Sequence, residues 1–415
     1  MMLLPWFALA AAVVPSPQQR PCPPALGQGV ECSTLKDDEG AWILFARPKA
    51  GNGTLIVHAH GGPRLGAPQA DDPDEDLVRF SALVRAGYAW AGTSYRRGGY
   101  GVRMAAADTD RARALYWSVY GRPGMTLLHG QSWGGNVAAK LAETGVLDDE
   151  GKPLYNGVMI TNGVLAGGTK AYQFRVDLRA VYQFYCRNLP RADEPAYPIW
   201  QGLPLNSKLT RKELAARVDD CTGVDTPAAA RSASQVARLR DILAVTRISE
   251  SQLVQQLAYA SFTFRDIVML RLGGRNPFDN SGSRYSGSAD DAALNTNIPR
   301  FRADPDAVSA LAFDSDLGGR IVLPTITLHA NGDPVIPAEG DAVYARTVAA
   351  AGNARLLLSL RTSEDNHSKM SDAEYVAVAD ALSDWASSGR RPAPSDVFRR
   401  CDGLAHGKQR CAFVP

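Results

Sequence analysis

An apolar run that ends in Gly-x-Ser-x-Gly and passes at once into a helix leaves a chain few folds to choose from. Met125-Thr126-Leu127-Leu128-His129 reads as a strand, Gly130-Gln131-Ser132-Trp133-Gly134-Gly135 contains the turn, and Trp133 to Glu143 carries apolar residues at helical spacing. A strand that feeds a helix through so tight a turn strains the residue at its tip. Glycines on either side leave room for strand and helix to pack, and Ser132 is left projecting. The helix N-terminus behind it favours negative charge. Ser132 is therefore the candidate nucleophile.

The surrounding rhythm fits that turn. Thr54 to His60, Tyr88 to Tyr95, Met125 to Ser132 and Gly157 to Gly163 read as strands, each rich in Val, Leu, Ile or aromatics and closed by turn residues. Leu77 to Ala86, Arg103 to Tyr120 and Trp133 to Glu143 read as helices between them. Strand and helix in alternation predict a parallel sheet covered on both faces. The rhythm stops after Val164 and returns at Ile321, with strands at Thr325 to Asn331 and Ala354 to Leu360 and a helix at Ser371 to Ser387. The fold class expected is α/β, a mostly parallel, doubly wound sheet with a large, mostly helical cap inserted between two late strands. In domain terms that is a leader at 1–14, a core at 15–164 and 321–390, a cap at 165–320 and a tail at 391–415. Within the cap, Phe262 to Leu272 is apolar enough to be buried or to face a ligand, and Arg275 to Asn297 reads as a long loop.

A serine hydroxyl is a weak nucleophile without a base, and the base needs an acid to orient it. Downstream, Asp333 follows one strand in Gly332-Asp333-Pro334, and His367 follows the next in Asp365-Asn366-His367-Ser368. Both sit at carboxyl ends of strands, where open parallel sheets place their sites. Asp365 is the rival acid, because it could orient the histidine from its own loop. His58, His60, His129 and His329 lie in or at strands and read as structural, His406 lies in the tail, and Glu339 and Asp341 read as a solvated helix start. An oxyanion needs preorganised amides. The amide of Trp133 is one candidate; Gly62 or Gly61, in His60-Gly61-Gly62-Pro63, supplies the other, since Pro63 has no N–H.

Composition narrows the classes. Lys+Arg 45 against Asp+Glu 43 in 415 residues gives no basic footprint for nucleic acid, and 45% hydrophobic residues argue against disorder. Met1 to Val14 is almost wholly apolar with small residues at Ala8, Ala10 and Ala12 before Pro15, the pattern of a secretory signal peptide. No later stretch approaches a membrane span. Six cysteines fall into local pairs, Cys22 with Cys32, Cys186 with Cys221 and Cys401 with Cys411, which suits disulfides in an oxidising compartment; nearest-neighbour pairing is one of 15 connectivities. The expected location is secreted or periplasmic. No phosphate or dinucleotide loop is present, and His58-Ala59-His60 lacks the partners of a metal site, so neither cofactor nor metal is expected. Asn366-His367-Ser368 is a glycosylation sequon, yet a glycan beside His367 would block the site. Nothing in the chain fixes an oligomeric state.

The order strand, His-Gly-Gly-Pro, Gly-x-Ser-x-Gly-Gly, large insert, Asp, His resembles the α/β-hydrolase superfamily over about Trp42 to Ser387. His60-Gly61-Gly62-Pro63 with Tyr95-Arg96-Arg97-Gly98-Gly99-Tyr100-Gly101 is similar to catalytic domains of the prolyl oligopeptidase family, and Gly-Gly-Pro with Ser132-Trp133-Gly134 resembles proline iminopeptidases. The chain has no room for a β-propeller before the catalytic part, and its cap is longer. The resemblance implies a serine hydrolase acting on a small-molecule or short peptide or ester substrate. A carboxylic ester is the first expectation and a capped aminopeptidase the second; a binding protein on a hydrolase scaffold is the third. Arg96 and Tyr95, in a strand-end loop, and cap aromatics Phe278, Tyr285, Tyr172, Phe174 and Trp200 are candidate substrate contacts. An aminopeptidase would need a cap carboxylate for the substrate's amino group, for which Asp177, Glu194, Asp266 and Asp279 are candidates.

Overall fold

Alternate residues of the Thr54–Ala59 strand enter different cores: Leu55, Val57 and Ala59 belong to one hydrophobic cluster and Ile56 to another. A two-residue period with both faces apolar is what a sheet sandwiched between helical layers requires. The computed structural model describes residues 16–407 and 410–414. Its strands are β1 (Gln18–Arg20), β2 (Val30–Lys36), β3 (Trp42–Pro48), β4 (Thr54–Ala59), β5 (Ala89–Thr93), β6 (Met125–Gln131), β7 (Gly157–Thr161), β8 (Thr325–Ala330), β9 (Leu357–Thr362) and β10 (Phe413–Val414). They form one sheet in the order β1-β2-β3-β5-β4-β6-β7-β8-β9-β10. The run from β5 through β9 is parallel, with antiparallel strands at both edges. With a nucleophile-elbow turn after β6, this is the α/β-hydrolase fold.

Register matters more than strand count. Ala59 pairs with Gly130, Gln131 with Thr161, and Ala330 with Thr362, so the carboxyl ends of five neighbouring strands reach one edge of the sheet. The loops after β4, β6, β7, β8 and β9 are thereby brought side by side.

Helices Val102–Tyr120 and Trp133–Thr144 cover one face, and Ser81–Arg85 and Asp372–Ser388 the other. Between β7 and β8 the chain runs through a series of helices with a hydrophobic cluster of their own, built on Leu178, Val181, Leu214, Val218, Ile242 and Leu257. Two of them start at capping boxes, Thr210 with Glu213 and Ser232 with Gln235.

Several local expectations change. The helix expected over Leu77 to Ala86 is two short helices broken at Phe80. Phe262 to Leu272 lies in a run of π-helical turns, with Phe262, Phe264, Ile267 and Val268 buried. The loop expected over Arg275 to Asn297 ends in a helix, Asp291–Asn297. The tail adds a helix, Pro394–Leu404, and supplies the edge strand β10. The six cysteines pair as nearest neighbours: Cys22–Cys32, Cys186–Cys221 and Cys401–Cys411. No helix among the described residues is long and apolar enough to cross a membrane. The signal-peptide expectation, Met1 to Val14, lies outside the described residues.

Candidate active site

Ser132 sits between β6 and the helix Trp133–Thr144 with φ 60°, a left-handed backbone that a residue with a Cβ seldom adopts. The glycines around it are needed for contact rather than for flexibility. A Cβ on Gly130 would stand 2.1 Å from the Gly134 carbonyl oxygen, and one on Gly134 would stand 2.1 Å from the Ala59 carbonyl oxygen. Strand β6, the helix and the loop after β4 therefore touch at backbone distance.

The loop after β9 brings His367 over this turn. Its Nε2 lies 2.8 Å from Ser132 Oγ, and its Nδ1 lies 2.7 Å from Asp333 Oδ2. Asp333 is held from behind by the amides of Val335, at 2.7 Å, and Ile336, at 3.0 Å, both donating to Oδ1. Burial alone would raise the pKa of this carboxyl; hydrogen bonds from His329 and His367 outweigh it and hold Asp333 well below the usual carboxylate range. An ionised Asp333 accepting from Nδ1 leaves Nε2 as the nitrogen that faces the serine. The rival acid, Asp365, does not bond His367.

Two residues hold the histidine loop in place, and sequence reasoning missed both. Asn162, at the end of β7 with φ 45°, donates to the His367 carbonyl at 2.8 Å and to that of Asn366 at 3.2 Å, while its Oδ1 accepts from the Ala330 amide at 2.8 Å. Gln131 donates to the same His367 carbonyl at 2.7 Å and accepts from Arg79 at 3.2 Å. Arg79 reaches Asp76 at 3.3 Å, and Asp76 bonds the ring of His60. A chain of polar contacts thus runs from the His367 loop to the loop after β4. The one available signal was position: a polar residue beside the elbow and another ending the next strand.

Gly61, Gly62 and Trp133 all line the cavity at Ser132, and among the described residues their amides carry no hydrogen-bond partner. Unpartnered amides on the wall that also carries Ser132 suit a developing oxyanion. Asp341, expected to be solvated, is instead buried against His329.

The cavity has a volume of about 330 Å³, at the small end for ligand sites. Tyr172, foreseen among the cap aromatics, lines it, together with Arg64, Arg79, Arg175, Arg211 and Tyr259. Of the other candidate substrate contacts expected from the sequence, Arg96, Tyr95, Phe278 and Tyr285 lie outside its walls. Arg96 is drawn off by Asp108 and Glu39, Tyr95 is buried with its hydroxyl donating to the His60 carbonyl, Phe278 stacks on Phe264, and Tyr285 donates to Asp177. Phe174 and Trp200 also lie outside its walls.

No family model matches the chain, and no curated protein matches it. Among solved structures it is similar to the rice cell wall degrading esterase LipA from Xanthomonas oryzae, at 13% identity over 86% of this chain and 89% of that one, with a TM-score of 0.41. It is similar to feruloyl esterase B from Aspergillus oryzae, at 16% identity over 88% and 82%, TM-score 0.42. A Pyrobaculum calidifontis esterase gives 14% identity over 88% of each chain, TM-score 0.42.

Proposed function

We propose that this protein is a serine hydrolase that cleaves a carboxylic ester through an acyl-enzyme. The observation that carries the reading is the contact series Ser132 Oγ to His367 Nε2 and His367 Nδ1 to Asp333 Oδ2, at the wall of a cavity that the inserted helices help to close. Ser132 attacks the ester carbonyl carbon while His367 takes its proton. The tetrahedral oxyanion rests on the amides of Trp133 and of Gly62 or Gly61, and the alcohol departs with the proton returned by His367. Water then enters by the same route in reverse roles, releasing the acid and regenerating Ser132.

Ester chemistry is favoured over an aminopeptidase by what surrounds the cavity. The four cap carboxylates named as anchors for an amino terminus lie outside its walls and are engaged elsewhere, Asp177 by Tyr285, Glu194 by Arg217, Asp266 by Arg271 and Asp279 by Ser281, and the carboxylate on the wall, Glu75, is paired with Arg64 and Arg79. Three disulfides support a secreted or periplasmic setting, and the two stretches 15–164 with 321–390 and 165–320 serve as catalytic core and cap.

The test is kcat/KM of wild type and Ser132→Ala on matched p-nitrophenyl acyl esters and aminoacyl anilides. Ser132-dependent ester turnover, lost on the order of 10⁶-fold in the variant, is expected, with anilides inert. Turnover that survives in Ser132→Ala overturns the reading, and anilide cleavage that requires a free amino terminus replaces it with the peptidase.

A further inference from the structure

Four arginines and one carboxylate, Glu75, line the cavity, and two of the arginines form no ion pair. Arg64 and Arg79 are neutralised by Glu75, Asp72 and Asp76. Arg175 and Arg211 form no ion pair among the described residues. Arg175, from the helix Gln173–Cys186, is only 2% exposed. Its Nε donates to Gln256 Oε1 at 2.7 Å and its Nη2 reaches the Val335 carbonyl at 3.4 Å, yet Nη1 has no hydrogen-bond partner. Its guanidinium lies 4.1 Å from the Tyr259 ring centroid and 4.5 Å from that of Phe174, contacts that ease the burial of a cation without neutralising it. Arg211, at the start of the helix Arg211–Thr222, is exposed to solvent and lines the rim of the same cavity with its guanidinium 5.0 Å over Phe262.

Arginine stays protonated in any site, so a buried guanidinium is costly unless an anion meets it; the Asp333 carboxylate favours the charge on Arg175 only from beyond ion-pair distance. Its two hydrogen bonds, one to Gln256 on another inserted helix and one to the loop after β8, occupy Nε and Nη2 alone. A purely structural tie needs no charge; a glutamine could donate to Val335 as well.

We propose that the cavity takes an ester bearing a second, ionised carboxylate, held by Arg175 and Arg211 while the ester carbonyl meets Ser132. A guanidinium recognises a carboxylate by paired N–H donors, and burial at Arg175 strengthens the contact there. The substrate class is a half-ester of a short dicarboxylic acid, or an ester of an acid that keeps one free carboxylate within the cavity's 330 Å³. This inference rests on the hydrolase reading above for its chemistry but not for its binding.

Two measurements separate them. Hydrolysis of mono-p-nitrophenyl glutarate and p-nitrophenyl butyrate by wild type gives a preference for the charged ester expected on the order of 10–100-fold in kcat/KM. Arg211→Gln and Arg175→Gln should each pull that ratio towards 1, and Arg175→Lys should restore part of it. Because Arg175 is buried, Arg211→Gln keeps the test open where the other variant does not fold. Calorimetry of monomethyl glutarate binding to Ser132→Ala then reads the site without turnover. Binding that weakens on the order of tenfold or more in Ser132→Ala/Arg211→Gln supports the proposal even where wild type hydrolyses neither ester, an outcome that overturns the hydrolase reading alone. A ratio at or below 1 in wild type, or charged-ligand binding indifferent to both arginines, overturns the anion site whether or not esters are cleaved.

Discussion

His329 Nε2 lies 3.4 Å from the Asp333 carboxylate four residues further along the chain, and its other ring nitrogen lies 3.0 Å from Asp341 Oδ1. All three side chains are sealed from solvent. The carboxylate that bonds His367 is therefore itself backed by a second imidazole. Burial acts to lower the pKa of His329, but the hydrogen bonds to Asp333 and Asp341 outweigh it and raise the value to about 9.

A proton held on His329 links stability to pH. The unfolded ring titrates near 6.5 and the folded one at about 9, so the stabilisation is complete below about 6.5 and is lost as the pH rises through 9. His329→Gln should unfold more easily than wild type at pH 6, by up to about 3 kcal/mol, with the gap narrowing towards pH 10. Urea unfolding of both proteins at the two pH values measures it. A gap of constant size would mean that the ring only fills space.

Asn162 is the clamp on the histidine loop, and Asn162→Ala removes two part-buried bonds donated to backbone carbonyls and one buried bond accepted from the Ala330 amide. A loss of about 2 kcal/mol or more in stability is expected, with kcat falling on the order of 10-fold or more and KM little changed, because His367 loses position while the cavity keeps its walls. Asn162→Gly accepts the same positive φ without the side chain. If the glycine variant recovers full activity, backbone strain and not the clamp was responsible.

The parts of the site that were legible are those written into short stretches. The elbow Gly130-Gln131-Ser132-Trp133-Gly134 declares itself because strand, turn and helix follow without a gap, and Asp333 and His367 each follow a strand whose apolar run marks its end. Edge strands were harder: β1 and β10 span three and two residues, too few for a period to register. The cavity wall was harder still. Arg175 and Arg211 come from two helices of an insert whose packing no local pattern specifies, so neither differs in sequence from a solvated surface arginine. Arg96, beside a strand end, looked the better candidate, until Asp108 and Glu39 took its guanidinium.

Glycines of the two loops separate contact from conformation. At Gly134 a Cβ would meet backbone oxygens of Ala59 and His60 at 2.1 and 2.6 Å, whereas at Gly62, with φ +72°, a Cβ would have nothing within 4 Å. Gly134→Ala is therefore expected to yield no folded protein. Gly62→Ala should fold with a loss of about 1–2 kcal/mol from its left-handed backbone. Purification yield and thermal melts of the pair decide it, and a Gly134→Ala protein with wild-type stability would contradict the backbone contact described for the elbow.

The Cys186–Cys221 bridge joins the last turns of the two helices on which Arg175 and Arg211 stand. It closes a loop with a sequence separation of 35, against 10 for each of the other two bridges. Loop-closure entropy then assigns it about 4 kcal/mol and each of the others about 3. The functional effect should be more selective than the thermal one. Replacing both cysteines by alanine frees the helix ends without altering Ser132, His367 or Asp333, so KM for the half-ester should rise severalfold while kcat for the neutral ester stays close to wild type. Steady-state kinetics on the two p-nitrophenyl esters, run below the melting temperature of the variant, make the comparison. Equal losses on both substrates would show that the bridge supports the catalytic loops rather than the arginine wall, and would move the search for the anion's partner away from these two helices.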